Sequence, residues 1–251
     1  MQAQVILTAS QSKRLIAKGI LKWEPFRHAQ RSGIIAICKG TTNSYIVEEL
    51  LAEAFDKRRY VMGRTAPAGL DTSWADAEAA EVVLEEGRRI EGALLADIVT
   101  RMGPGDLFLK GANAINYDLG QAGVLIAHPS GGTLGATMGT IVSRKVRLVH
   151  PAGLEKSVPA DIAAAARRLC EQDACVGQVY GLWPTHGEIF TEIEAIEALF
   201  NIEAVPAGSG GIAGAEGALT LSVFGERAEL DRALALIDEI QKEPPFGAGG
   251  P

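Results

Sequence analysis

Short, almost wholly apolar runs alternate with amphipathic stretches along most of the chain. Residues 4–8, 33–38, 106–110, 123–127 and 146–149 are rich in Val, Ile and Leu. Apolar runs of this length predict strands, with 33–38 and 106–110 buried. The stretches between them have helical spacing. Leu15, Ile16, Ile20 and Leu21 share one face of 12–23, with Ser10 or Ser12 available to cap it. Pro25 interrupts, and 26–31 read as one more turn. Val47, Leu50, Leu51 and Ala54 mark a helix over 43–55. Another covers 92–102 and stops at Gly103-Pro104-Gly105, and 134–142 is a fourth. Residues 57–75 look irregular, with a short strand near 60–62, and form either a lid or a connection. Residues 81–90 read as two short strands about Glu86-Gly87, although 75–84 also fits a helix. Strands and helices alternating at this rate predict an α/β fold with a doubly wound, mostly parallel sheet, whose ligands sit beyond the carboxyl ends of the strands.

The pattern changes in the last third. Val158-Pro159 opens a helix over 160–171, and 178–183 reads as a strand. Thr191-Glu192-Ile193-Glu194 has the form of a capping box for a helix ending near Phe200. A strand begins at Ala204-Val205, a glycine-rich segment covers 208–217, and strand 219–224 leads into an amphipathic helix over 226–241. This succession predicts a small α+β domain of ferredoxin-like kind. The expected division is therefore 1–176 for the site-bearing α/β domain, 177–245 for the small domain and 246–251 for a flexible tail. The segment beginning at Gly208 is no dinucleotide fingerprint, because it leads into a strand rather than a helix.

Composition narrows the function classes. The 251 residues are 47% hydrophobic and 22% charged with a net charge of −7, which disfavours a nucleic-acid surface. Arg58-Arg59 and Arg88-Arg89 are short basic pairs among acids and read as solvated faces. Cys38, Cys170 and Cys175 have neither a disulfide nor a zinc pattern. No apolar run approaches the ~20 residues of a membrane span, and the first residues lack a signal core. A cytoplasmic location away from membranes is expected.

Three polar loops carry the candidate chemistry. Lys39-Gly40-Thr41-Thr42-Asn43 follows a strand and opens a helix, where free amides and a positive helix end suit a phosphate or carboxylate. In the competing reading, Thr41 or Thr42 merely caps that helix. Lys110-Gly111-Ala112-Asn113, with Asn116 beyond, follows another strand; its small residues admit a ligand and its amides both donate and accept. The third loop runs from His128 to Gly131-Gly132-Thr133. His128 is either a proton-transfer group or a loop-packing residue, and Gly132, Gly135 and Gly139 point to close helix–sheet packing ahead of ligand contact. Asp106, Asp118 and Glu188 are weaker carboxylate candidates. His150 reads as structural and His28 as a surface residue. Thr185-His186-Gly187-Glu188 is too sparse for a metal site. No metal and no cofactor is expected.

The segments 39–45 and 111–116 resemble loops of the superfamily containing ribose-5-phosphate isomerase, glucosamine-6-phosphate deaminase and the CoA transferases. The first is similar to the isomerase's sugar-phosphate loop, the second to its Gly-Ala-Asp-x-x-Asp loop, over an outline spanning about residues 8–150. The resemblance implies a pocket for a sugar phosphate or CoA-type ligand. It also exposes departures: Asn113 and Asn116 replace both acids, and an amide cannot serve as a base. The leading expectation is a homo-oligomer that binds a small anionic metabolite and, if catalytic, acts as an isomerase-type enzyme through His128. A site blocked by Tyr45 or Tyr117 would contradict it. The alternative is a non-catalytic sensor or assembly protein using the α+β domain, with 219–224 as an interface strand.

Overall fold

A computed structural model describes residues 1–51, 55–66, 69–70, 73, 79–171 and 174–247. In chain order its elements begin with β1 (Gln2–Leu7), α1 (Ala9–Ile20), α2 (Glu24–Ser32), β2 (Ile34–Ile37) and α3 (Thr41–Leu51). There follow β3 (Val82–Glu85), β4 (Arg88–Arg89), α4 (Leu95–Ile98), β5 (Leu107–Leu109), β6 (Ala114–Asn116), β7 (Gln121–Ile126), α5 (Gly132–Arg144) and β8 (Arg147–Pro151). The last are α6 (Ile162–Cys170), β9 (Gly181–Thr185), β10 (Glu188–Phe190), α7 (Glu192–Leu199), β11 (Glu203–Ser209), β12 (Leu219–Phe224) and α8 (Arg227–Ile240).

The chain is α/β. Its largest sheet is mixed, in the order β10-β8-β5-β2-β3-β4. The first four of these strands run parallel, and β3 and β4 continue antiparallel beyond β2. The runs that form β2, β5 and β8 feed successive residues to opposite faces, whereas 4–8 and 123–127 fall in β1 and β7 outside this sheet, and Ile6 of β1 is exposed. Ile35, Ile37, Leu107 and Leu109 join the core beneath α1, α3 and α7. Ile34, Ala36, Phe108 and Leu148 pack on the other side with Leu95 and Ile98 of α4 and Ile141 of α5. Helices therefore cover both faces.

Two antiparallel sheets complete the fold, in the orders β1-β12-β11 and β6-β7-β9. The boundary expected at 176 falls between segments that share all three sheets: β1 pairs with β12, β9 with β7, and β10 with β8. The strands expected in a ferredoxin-like unit are divided between two sheets, β9 in one and β11 with β12 in another. Val5 and Leu7 of β1 enter the same continuous core as Leu221, Val223 and the α8 residues Leu230, Ala233 and Ile237. That burial holds the first strand against the last. β12 is flanked on both edges, so it offers no free edge for the interface expected at 219–224.

Local differences have local causes. Thr8, with Gln11 answering it, caps α1 in place of Ser10 or Ser12. Ser10 Oγ instead accepts the amide of Phe246 at 2.9 Å, and the Phe246 ring lies 6.0 Å from that of Tyr45. Residue 246 is thereby anchored, and 248–251 of the expected tail lie outside the described residues. The expected strand at 60–62 is absent; Lys57–Arg59 form a 3-10 turn that delivers Tyr60 into the core. The hairpin about Glu86-Gly87 forms, with φ of 49° and 76° at its two turn residues. It excludes the helical reading of 75–84 from Val82 onward, residues 74–78 lying outside the described set. β6 and β10 are strands that hydrophobic patterning does not predict.

α1 and α7 cross closely at Gly19. A methyl group on Gly19 would lie 2.4 Å from the Cα of Ala195, which is backbone and cannot swing aside. Gly19→Ala is expected to lower stability by about 1–3 kcal/mol, read as a fall in the urea midpoint.

Candidate functional site

The parallel strands end where the polar loops begin, and their ends are pinned by side chains. Asn43, in the first turn of α3, donates from Nδ2 to the carbonyls of Cys38 at 2.8 Å and Leu109 at 3.1 Å, at the ends of β2 and β5. His150 at the end of β8 donates from Nδ1 to the carbonyl of Lys110 at 2.6 Å and accepts the Thr185 hydroxyl at Nε2, 2.5 Å away. A carbonyl can only accept, so the neutral tautomer is fixed. Burial lowers the His150 pKa to about 4 and keeps the ring uncharged. On the far side of β2, the Tyr60 hydroxyl donates to the Ile37 carbonyl and accepts the Val82 amide. Gly40 donates to the Tyr60 carbonyl. These bonds bring the segment after Tyr60 over the strand ends.

The result is a cleft of two adjoining cavities, about 470 and 350 Å³, which share Met62, Gly63, Lys110, Val124, Leu125 and Ala127. Lys39, Glu81, His128, Gly131, Gly132 and Thr133 line the first, and Arg64, Asn113 and Tyr180 the second. Lys110 makes no ion pair or hydrogen bond through its ammonium among the described residues. The start of α5 faces the first cavity. Its N-cap, Gly131, is left-handed at φ 83°, no side chain caps the helix, and its first turn carries no acid. The positive end of a 13-residue helix is therefore presented uncapped.

The structure gathers Lys39, Lys110, Asn113, His128, Gly131, Gly132 and Thr133 into this cleft and leaves the other candidates outside it. Thr41 begins α3 rather than capping it, and Gly40 accepts the Ser44 amide as the first carbonyl of the helix. Thr42 and Asn43 are buried. Gly111 lies beside the Pro151 carbonyl, outside the lining. Asn116 spends its amide on the Ala160 carbonyl and its oxygen on the Leu119 amide. Asp106 accepts the amides of Ile34 and Gly103, and Glu188 pairs with Arg147. Tyr45 is buried and Tyr117 binds Glu194, so neither blocks the cleft.

His128 accepts the Ser130 amide at Nδ1, 3.2 Å away, with the Ser130 hydroxyl at 2.9 Å. An acceptor at Nδ1 places the proton of the neutral ring on Nε2. The ring then offers a donor, which suits binding an anion better than removing a proton. Gly135 has a different purpose from helix–sheet packing: a methyl there would lie 1.9 Å from the Ser130 carbonyl of the preceding loop. Gly139 has open space where a methyl would go. Sequence reading missed Met62, Arg64, Glu81 and Tyr180; only the polarity of Arg64 and Glu81 was a usable signal.

A larger cavity, about 670 Å³, lies elsewhere, between Asn116–Asp118, Val158-Pro159 and Pro206–Ser209. Among the described residues no Lys, Arg or His lines it, and Asp118 is the one charged residue there. It does not suit an anion.

A second charged cluster is closed to solvent, on the α1–α7 side of the sheet. Lys13 Nζ binds Glu155 Oε1 at 3.1 Å, and Lys156 Nζ donates to the Ala112 carbonyl at 2.8 Å. Glu192 Oε2 accepts the Leu154 amide at 3.0 Å. Glu155 Oε2 and Glu192 Oε1 are buried without partners, and both border Gly153, where a methyl would strike each of them. Burial, and then the Glu155 charge, raise Glu192 to about 7; burial lowers Lys156 to about 8. An unfolded Glu releases its proton near ~4.3, so the folded chain holds the extra proton between there and about 7. Stability from this group therefore falls as pH rises through that window. Glu192→Gln, which keeps a donor where the protonated carboxyl stands, should be more stable than the wild type near ~pH 8 and no more stable near ~pH 5, by urea midpoints. The His150 contribution has the opposite sign and is common to both proteins.

Among the described residues no cluster of His, Cys, Asp and Glu has metal-binding geometry, and no helix is long and apolar enough to cross a membrane. The three cysteines are free, Cys38 buried and the other two exposed. Comparison with family models, with curated proteins and with solved structures finds no match to this chain, so its function is read from the cleft itself.

Proposed function

We propose that this chain binds a small anionic metabolite in the cleft beyond the carboxyl ends of β2 and β5. One observation carries the reading: the uncommitted ammonium of Lys110 and the uncapped start of α5 line the same cavity. An anion there would be met by a full positive charge, a helix end and the Nε2 proton of His128, with Lys39 nearby. Sugar phosphates and CoA-type ligands, the classes implied by the loop resemblance, both carry such a group. The doubly wound reading of the sheet belongs to the same proposal, since helices on both faces and loops at the strand ends are what it requires.

Enzymatic turnover is the second reading, favoured by Glu81, the one carboxylate among the described lining residues of the two cavities. In that case Glu81 rather than His128 is the base for an isomerase-type proton abstraction, and Glu81→Gln keeps binding while ending turnover.

Thermal shift against inorganic phosphate, ribose 5-phosphate and acyl-CoAs tests the binding. A ligand at a hundredfold its Kd adds about 2.7 kcal/mol of stability, and Lys110→Ala should remove that gain. Absence of any shift across the panel would overturn the reading.

A further inference from the structure

The walls of the cleft differ in kind from its charged end. Met62, Val124, Leu125 and Ala127 line both cavities, joined by Ile126, Pro129 and Leu134 in the first and by Tyr180, beside Arg64 and Thr65, in the second. Met62 is 52% exposed, Leu125 43% and Tyr180 40%, so three large apolar side chains converge on one opening. Scattered exposed apolar residues need no explanation, but a group lining one concavity marks a contact surface. A thioether and a phenol ring suit an apolar body of adaptable shape.

The two amides expected to read a polyhydroxylated ligand are largely engaged elsewhere, which leaves that task to Arg64, Thr65 and Thr133. Each sugar hydroxyl loses water on binding and requires replacement donors and acceptors. Asn113 was the natural reader, yet its oxygen already accepts the Leu125 amide at 3.0 Å, leaving only its Nδ2. Asn116, its expected companion, lies in a different cavity with both amide atoms engaged.

We infer that the ligand of this cleft is an organic anion with an apolar or aromatic body, its charge at Lys110 and its body against Met62, Leu125 and Tyr180. The inference rests on the proposed anion site and narrows its ligand class. It ranks a bare sugar phosphate lower: that ligand would satisfy the charged end but leave Met62, Leu125 and the Tyr180 ring without an apolar partner. Lys110 lines both cavities, so one ligand spans them with its charge at the junction.

Titration calorimetry with inorganic phosphate, ribose 5-phosphate, hexyl phosphate and phenyl phosphate tests it. Hexyl or phenyl phosphate should bind at least about tenfold tighter than ribose 5-phosphate, a margin that burying a few methylenes readily supplies. The double variant Met62→Ser, Leu125→Ser should abolish the margin while retaining phosphate binding, both positions being exposed enough to change without loss of the core. Equal or tighter binding of ribose 5-phosphate, or a margin untouched in a folded double variant, would overturn the inference and leave the anion site standing. Failure of all four probes to bind would overturn the anion site and this inference together.

Discussion

The carboxamide of Asn43 spans the ends of β2 and β5 and is the bond on which the cleft depends. The Leu109 carbonyl accepts the Cys38 amide at 2.9 Å, and the Cys38 carbonyl lies just past the β2–β5 ladder. One side chain bonds both carbonyls. In doing so it fixes the separation of the two backbones just before Lys39 and Lys110 leave the sheet. His150 performs the same service one strand further along, holding Lys110 from behind. The lysine is mobile only in its side chain; its point of departure is tied to three strands. Residues with no contact to a ligand thus set where charge is presented.

Two electrostatic environments sit at the one edge of the sheet. Lys110 and the start of α5 open onto solvent, where an unpaired charge costs little and remains available. Glu155 and Glu192 are enclosed, where a second negative charge is expensive and one carboxyl keeps its proton. The sheet separates them by face: α1 and α7 close the acidic side, whereas the loop before α5 leaves the other open. Lys13 on α1 binds Glu155 and shields that side further.

Much of this was legible in the chain, and the remainder was hidden for identifiable reasons. β2, β5 and β8 stand out as apolar runs because they are buried on both faces. The capping box at Thr191 and Glu194 forms as its spacing requires, with Thr191 accepting the Ile193 amide. The three loops that build the charged end were also apparent. Which way their side chains point was not, since α3 begins at Thr41, two residues earlier than the apolar spacing suggests. That shift carries Asn43 into the first turn and toward the sheet. Met62 and Arg64 enter the cleft through the Tyr60 hydrogen bonds, which no local pattern announces. Glu192 reads locally as a first-turn acid favourable to the helix; its unusual proton affinity arises from α1 and the Gly153 loop, distant in sequence. β10 is three residues long and shielded from recognition by its neighbouring Gly187, which lies tightly against His150.

The pairing of β1 with β12 has a consequence for how the chain assembles. The parallel strands of the main sheet, β2, β5, β8 and β10, are laid down in chain order from the interior toward one edge. Each finds its neighbour already in place as synthesis proceeds. β1 has no such partner: Gln4 meets Ser222, 218 residues away, across a very long loop closure. During translation β1 waits for its partner until residues 219–224 have emerged, with Val5 and Leu7 not yet covered by β12 and α8. The interval between its synthesis and its burial leaves an unpaired strand edge open to association with other chains.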